Sequence, residues 1–133
     1  MARTLTTILA ALLLSLAMLT VNVHQRQKTQ YLEGVKGEKA GDFMVALTGY
    51  ESAIRMYLPF SSRVEASATR IWALGEAAER RGDIDQALAA YRSLRSAFYG
   101  TRWLQQPGAD WISRCDKKIA ALVLLRKKDI NHE

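Results

Sequence analysis

Hydrophobic and polar positions follow two patterns, which change near residue 24. From Leu5 to Val23 no residue is charged. These 19 positions would form a helix of roughly 28 Å, close to the ~30 Å hydrocarbon core of a bilayer. Beyond this run, apolar residues recur at helical spacing and are interrupted by segments that contain glycine or proline. The pattern predicts a membrane-spanning helix followed by an all-α domain.

The residues on either side of this run bear on whether it is cleaved as a signal peptide or kept as a membrane anchor. Residues 1–4 form a short basic flank, which also opens a secretory signal peptide. The exit segment 19–24 lacks the small residues that a signal peptidase prefers, and offers only Val21 and Val23. We therefore expect residues 5–23 to be an uncleaved transmembrane anchor. An exported soluble protein, released by cleavage, is the alternative.

The charges flanking the anchor bear on its orientation. Arg3 and the amino terminus lie on one side, and Arg26, Lys28, Lys36 and Lys39 lie on the other. The larger number of cations favours a cytoplasmic C-terminal domain, and a periplasmic domain stays open as the alternative. We expect a single-pass protein of a bacterial inner membrane.

A ten-residue pattern occurs twice in the rest of the chain. Residues 41–50 and 82–91 are identical at five of ten positions, with an offset of 41, and Gly34 and Gly75 lie seven residues before them. In each copy the glycine can end one helix, the aspartate can cap the next, and the alanine allows close helix packing. The tyrosine at the end of each copy can fill the gap between the helices. Two helix-turn-helix units are therefore predicted within residues 24–109.

These residues resemble the tetratricopeptide repeat family over about residues 27–99. Leu74-Gly75 and the block 82–91 match its pattern well, whereas the first unit has Glu33 in place of leucine and Gly37 in place of an aromatic residue. The offset of 41 exceeds the family's ~34 residues. The resemblance implies a short α-solenoid whose leading helices line a concave, partner-binding surface.

The additional residues and the tail complete the predicted fold. Pro59 is expected to stop a helix, and residues 62–65 resemble a capping box that starts a long leading helix over 62–81. Two repeats leave one end open, which residues 110–133 can cover as a capping helix and tail, beginning at Asp110. The apolar stripe of this helix is Ile112, Cys115, Ile119 and Leu122. The predicted fold class is all-α: a transmembrane helix, then a two-repeat tetratricopeptide-like α-solenoid with a C-terminal capping helix.

The resemblance also indicates a binding face on the leading helices. Trp72 and Tyr31 are its expected anchors, because each lies ten residues before a Gly-Asp turn and large aromatic rings dominate interface energies. Packing in the core is the alternative for both rings. The predicted partner is a protein or peptide segment of a membrane-associated protein. The candidate partner-binding residues are Lys28, Tyr31, Val35, Glu38, Thr69, Trp72, Glu76 and Arg80.

The sequence contains few residues that could act as a catalytic base or nucleophile. His24 lies at the membrane boundary and His132 lies at the chain end, so neither is placed to activate a nucleophile. Cys115 is the lone cysteine, which excludes an internal disulfide or a four-cysteine zinc site, and we expect it to be a small buried side chain. No catalytic, metal or cofactor site is predicted, and the expected role is that of a non-catalytic scaffold or adaptor.

The net charge of +6 raises nucleic-acid binding as another possibility. The basic clusters are short and mixed with acidic residues, and no recognition motif accompanies them, so this function is not favoured. A basic domain tethered beside anionic headgroups is sufficient to account for the charge. Arg26, Lys28, Lys36 and Lys39 are the cations expected nearest the lipid.

Overall fold

The computed structural model describes residues 1–131, and these residues fold into five helices without a strand. The all-α prediction is therefore confirmed, while His132 and the end of the predicted tail lie outside the described residues. The helices are α1 (Ala2–Lys39), α2 (Phe43–Arg55), α3 (Ser62–Arg80), α4 (Ile84–Gly100) and α5 (Ala109–Ile130).

Helix α1 joins the apolar run to the helical domain without a break. Its 38 residues extend over about 57 Å. Residues 1–22 are exposed, and α1 begins to pack against the domain near Val23, which is partly buried. By length and composition this helix can cross a membrane. The hydroxyls of Thr6, Thr7, Ser15 and Thr20 donate to carbonyls of their own helix, so these polar groups are satisfied internally.

The two predicted turns have the same geometry. Gly41 and Gly82 take the left-handed conformation, with φ of 72° and 74°, which a glycine adopts without a steric penalty. Asp42 and Asp83 then cap α2 and α4, each accepting a hydrogen bond of 3.0 Å from the backbone amide three residues later. The repeated block therefore makes the same helix-turn-helix connection twice.

Each helix pair is fitted around a buried tyrosine. A Cβ added at Gly34 would lie 2.6 Å from the Tyr50 ring, and one added at Gly75 would lie 2.7 Å from the Tyr91 ring. Both tyrosines are fully buried. The glycine of each leading helix thus leaves the space that the tyrosine of the trailing helix occupies, which agrees with the sequence prediction.

The connections between the units differ from the sequence prediction. Helix α2 ends at Arg55, before Pro59 is reached, and α3 is preceded by Ser61 rather than opened by a capping box. The Ser61 hydroxyl makes no cap and instead donates to the Oε1 atom of Gln27 at 2.6 Å. A tertiary partner has replaced the local capping interaction here. Helix α5 likewise starts after Gly108, with φ of 69°, and not at Asp110.

Helix α5 covers the open side of α4. Its buried residues are Trp111, Ile112, Cys115 and Leu122, which join the core formed by α2, α3 and α4. Ala46 and Ala87 are fully buried in this core, where the sequence predicted close helix contacts. The predicted apolar stripe therefore seals the second unit, with Ile119 partly buried at its edge.

A candidate binding face on the leading helices

The first two leading helices, α1 and α3, are joined by polar contacts on one side of the domain. Glu38 of α1 lies 3.3 Å from the guanidinium of Arg70, and the same carboxylate accepts a 2.6 Å hydrogen bond from the Tyr50 hydroxyl. Nearer the apolar segment 5–23, His24 lies 2.9 Å from an Arg63 nitrogen. The exposed sides of α1 and α3 are therefore neighbours.

Helix α5 extends the same side beyond α3. Lys118 of α5 forms an ion pair of 2.7 Å with Glu79, which also accepts a hydrogen bond from the Tyr91 hydroxyl. The indole of Trp111 donates to the carboxylate of Glu65 at 3.1 Å. Helix α5 thus occupies the place that the leading helix of a third unit would take. We call the continuous surface of α1 beyond residue 23, α3 and α5 the leading-helix face.

The polar cluster of the first unit recurs in the second. Tyr50 with Glu38, and Tyr91 with Glu79, are pairs related by the same offset of 41. In each unit the glutamate also meets a cation from the next leading helix. The sequence analysis missed this cluster, although glutamate recurring at the repeat offset outside the ten-residue block was the available signal.

Electrostatics explain why these clusters hold the helices together. Burial disfavours the charged form of Glu79, but hydrogen bonds from Lys118 and Tyr91 outweigh it and keep the pKa of this carboxyl below its ordinary value. Burial and the adjacent carboxylates raise the pKa of Tyr50 and of Tyr91 well above the usual range. Both phenols therefore stay neutral and act as hydrogen-bond donors at physiological pH.

The two predicted anchors occupy equivalent positions. The Tyr31 ring packs on Tyr50 with a centroid distance of 5.6 Å, and the Trp72 ring packs on Tyr91 at 4.8 Å. Both anchors are partly buried at the edge of the core. Each ring therefore contributes to packing and also presents an edge at the leading-helix face. Within residues 1–131 no ring contact joins Tyr31 directly to Trp72.

Helix α5 covers part of Trp72, which the sequence analysis did not foresee. The rings of Trp72 and Trp111 lie 5.9 Å apart, and the Arg114 guanidinium lies 4.3 Å from the centre of each. This arrangement is a cation–π cluster. Arg114 is exposed, so the cluster presents a cation as well as an indole edge to solvent.

The other predicted site residues are spread along the face. Lys28, Thr69 and Arg80 are exposed, whereas Val35 and Glu76 are partly buried. The structure does not bring Lys28 and Arg80 together, because they lie near opposite ends of the domain. His24 and Arg63 are level, and Arg80 lies 17 residues, about 25 Å, further along α3. The Thr69 hydroxyl bonds to its own helix.

The single cysteine of the chain lies in the core and not on this face. Burial raises the pKa of the Cys115 thiol to about 11, and the side chain is fully enclosed. Across residues 1–131 no group of three His, Cys, Asp or Glu side chains is placed to hold a metal ion. Comparison of the chain with protein-family models, with curated proteins and with solved structures found no match.

Proposed function

We propose that this protein is a membrane-anchored, non-catalytic scaffold with a tetratricopeptide-like domain, which binds a segment of another membrane-associated protein on the leading-helix face. The observation that carries the proposal is the equivalent, partly exposed placement of Tyr31 and Trp72 on two stacked units. Rings that are held by packing and open at one edge offer contact area without a large loss of side-chain entropy.

The charges of the leading-helix face favour a partner segment with acidic residues. Within residues 1–131, Lys28, Arg80 and Arg114 form no ion pair, whereas Glu38 and Glu79 are each paired with a cation. Glu76 is the unpaired carboxylate among the predicted site residues. An acidic partner would be guided to the face by the excess of cations and held by the aromatic edges.

Anchorage through residues 5–23 supports the membrane association of the partner. Because α1 is continuous, the helix that crosses the bilayer also forms the first wall of the face. A partner held there lies close to the membrane surface. In this proposal the anchor lies in a bacterial inner membrane, with the domain on the cytoplasmic side favoured by the flanking charges.

Site-specific photocrosslinking tests the binding face. A photoreactive residue at Thr69, exposed in the middle of α3, should give a discrete adduct with a membrane protein when cells are irradiated. The matched control is the same residue at Arg92, which is exposed on α4, a helix that does not belong to the face. Adducts of the same kind at both positions, or none at position 69, would refute binding at this surface.

Charge reversal provides a second test that avoids the core. Lys28→Glu with Arg80→Glu should abolish the adduct at position 69, since both side chains are exposed and lack described partners. The control pair, Arg92→Glu with Arg95→Glu, changes the net charge equally at exposed positions of α4, outside the face, and removes a surface ion pair with Asp116 that contributes little to stability. An adduct that survives the first pair, or is lost with the second, would contradict the proposed acidic partner.

Anchorage is tested separately. The full-length chain should resist carbonate extraction from membranes, and its intact mass should include residues 1–23. A mature form that lacks these residues would instead support the exported soluble protein.

A further inference from the structure

Two loops at one end of the domain expose large apolar side chains almost completely. Residues 56–61 connect α2 to α3, and residues 101–108 connect α4 to α5. Phe60 is 106 % exposed, Trp103 is 87 % exposed and Leu104 is 82 % exposed. All three line one surface concavity. We call these two segments the aromatic loop pair.

Gln27 fixes the first loop beside the membrane segment. Its buried side-chain amide donates to the carbonyls of Ala53 and Met56 at 3.1 and 3.0 Å, and its Oε1 atom accepts from Ser61. Gln27 lies four residues beyond Val23, about 6 Å along the helix. The interfacial layer on each side of a bilayer is about 5–7 Å thick. The first loop is therefore level with the lipid headgroups when residues 5–23 span the hydrocarbon.

The second loop lies at the same end. Arg55, at the end of α2, donates to the Ser96 hydroxyl near the end of α4 at 3.1 Å. The concavity that contains Phe60 is completed by Trp103 and Leu104. Because the helices of the domain are antiparallel, both loops face the bilayer and the two Gly-Asp turns point away from it.

The charged residues of three segments at this end of the domain are all basic. The segments 24–28, 56–61 and 101–108 contain no aspartate or glutamate, whereas they include Arg26, Lys28 and Arg102. Cations beside exposed aromatic rings are typical of the membrane–water interface. This geometry also corrects the sequence prediction, because Lys36 and Lys39 lie roughly 20 Å or more from Val23 and are not nearest the lipid.

The conformation of Phe60 adds an independent observation. Its φ of 66° places a bulky residue in the left-handed region, where glycine or asparagine would be less strained. The ring is fully exposed, so burial within the protein does not offset the strain of this backbone conformation. A strained backbone that turns an aromatic ring outward, at headgroup level, is explained if the ring is buried in lipid.

We propose that the aromatic loop pair inserts into the interfacial layer of the same bilayer that α1 spans. The inference rests on the membrane anchorage proposed above. Phe60, Trp103 and Leu104 would provide the apolar contact, and the neighbouring cations would meet anionic headgroups. The domain then has lipid contacts at three places and cannot tilt freely on the bilayer, which keeps the leading-helix face in a fixed orientation relative to the membrane.

Tryptophan quenching in vesicles tests this insertion. The full-length protein is reconstituted into vesicles of brominated phosphatidylcholine with phosphatidylglycerol, and emission is compared with that in unbrominated vesicles. Trp103 should be quenched, because bromine placed near the carboxyl end of the acyl chains quenches indoles that reach the boundary between headgroups and chains. Trp103→Phe should lose this quenched fraction and keep the emission of Trp72 and Trp111.

A matched pair of variants separates insertion from general hydrophobicity. Phe60→Asp with Leu104→Asp should abolish the quenching of Trp103, while Leu124→Asp, which alters an exposed leucine on α5, should leave it unchanged. Vesicle flotation is measured on every sample. Protein that floats without quenching of Trp103 would refute loop insertion and leave the anchor intact. Protein that fails to float would refute the anchorage, and the inference with it.

Discussion

Replacing Gly49 with alanine tests the close packing of α2 against α1. Gly49 of α2 crosses Gly34 of α1, and a Cβ at position 49 would clash with the Gly34 nitrogen and lie 2.6 Å from its Cα atom. The obstacle is backbone, so no change of side-chain rotamer can relieve it. The methyl group can be accommodated only if α1 and α2 move apart.

Two effects of opposite sign determine how much Gly49→Ala changes the free energy of unfolding. Alanine in place of a helical glycine stabilises by up to about 1 kcal/mol, whereas overpacking a close helix contact typically costs about 1–3 kcal/mol. The position equivalent to Gly49 in the second unit is Ala90, which is fully buried. A methyl group is therefore tolerated where the helices are spaced for it, which keeps the cost moderate. We expect a net loss of about 1–2 kcal/mol in the free energy of unfolding.

Thermal melting in mild detergent, followed by near-ultraviolet circular dichroism, measures this loss. For a domain of this size, each kcal/mol lowers the Tm by about 4–8 °C. Gly100→Ala is the matched control, because its Cβ would meet only the guanidinium end of the long Arg55 side chain at 2.7 Å, which can shift by a change of rotamer. We expect that variant to melt at or slightly above the wild-type temperature. A Gly49→Ala protein that melts at or above wild type would refute the close α1–α2 crossing.

Three further predictions address packing, electrostatics and reactivity. Ala87→Leu should destabilise the domain by about 1–3 kcal/mol through overpacking, and an unchanged melting midpoint would contradict the repeat register. Because the folded-state pKa of Glu79 is lowered, its contribution to stability is present above the unfolded pKa near 4.5 and is lost as pH falls below it. Glu79→Gln should therefore flatten the acid side of the stability profile, and a profile with unchanged slope would argue against the Lys118 ion pair. Cys115 should resist alkylation at pH 8 in the folded protein and react on unfolding, because it is buried with a pKa of about 11, so rapid labelling of native protein would count against its enclosure.

The helical segments and the two Gly-Asp turns were predictable because they depend on residues that are close in sequence. Gly41 and Asp42 determine a turn within a few residues, and the same pair recurs at 82 and 83. The charge-free run 5–23 was likewise predictable, since its length and composition are those of a helix that can cross a membrane. The alternation of leading and trailing helices followed from the repeat, and so did the equivalent positions of Tyr31 and Trp72.

The remaining features depend on residues far apart in the chain. Ser61 bonds to Gln27 across 34 positions, and Lys118 reaches Glu79 across 39. No local pattern predicts such pairs, because they form only after the helices have packed in a particular register. The partial cover of Trp72 by α5 arises in the same way. Tertiary structure alone therefore decided which edges of the leading-helix face stay open. It also placed the two exposed loops near the apolar segment 5–23, because antiparallel packing brings alternate connections to the end where α1 enters the domain.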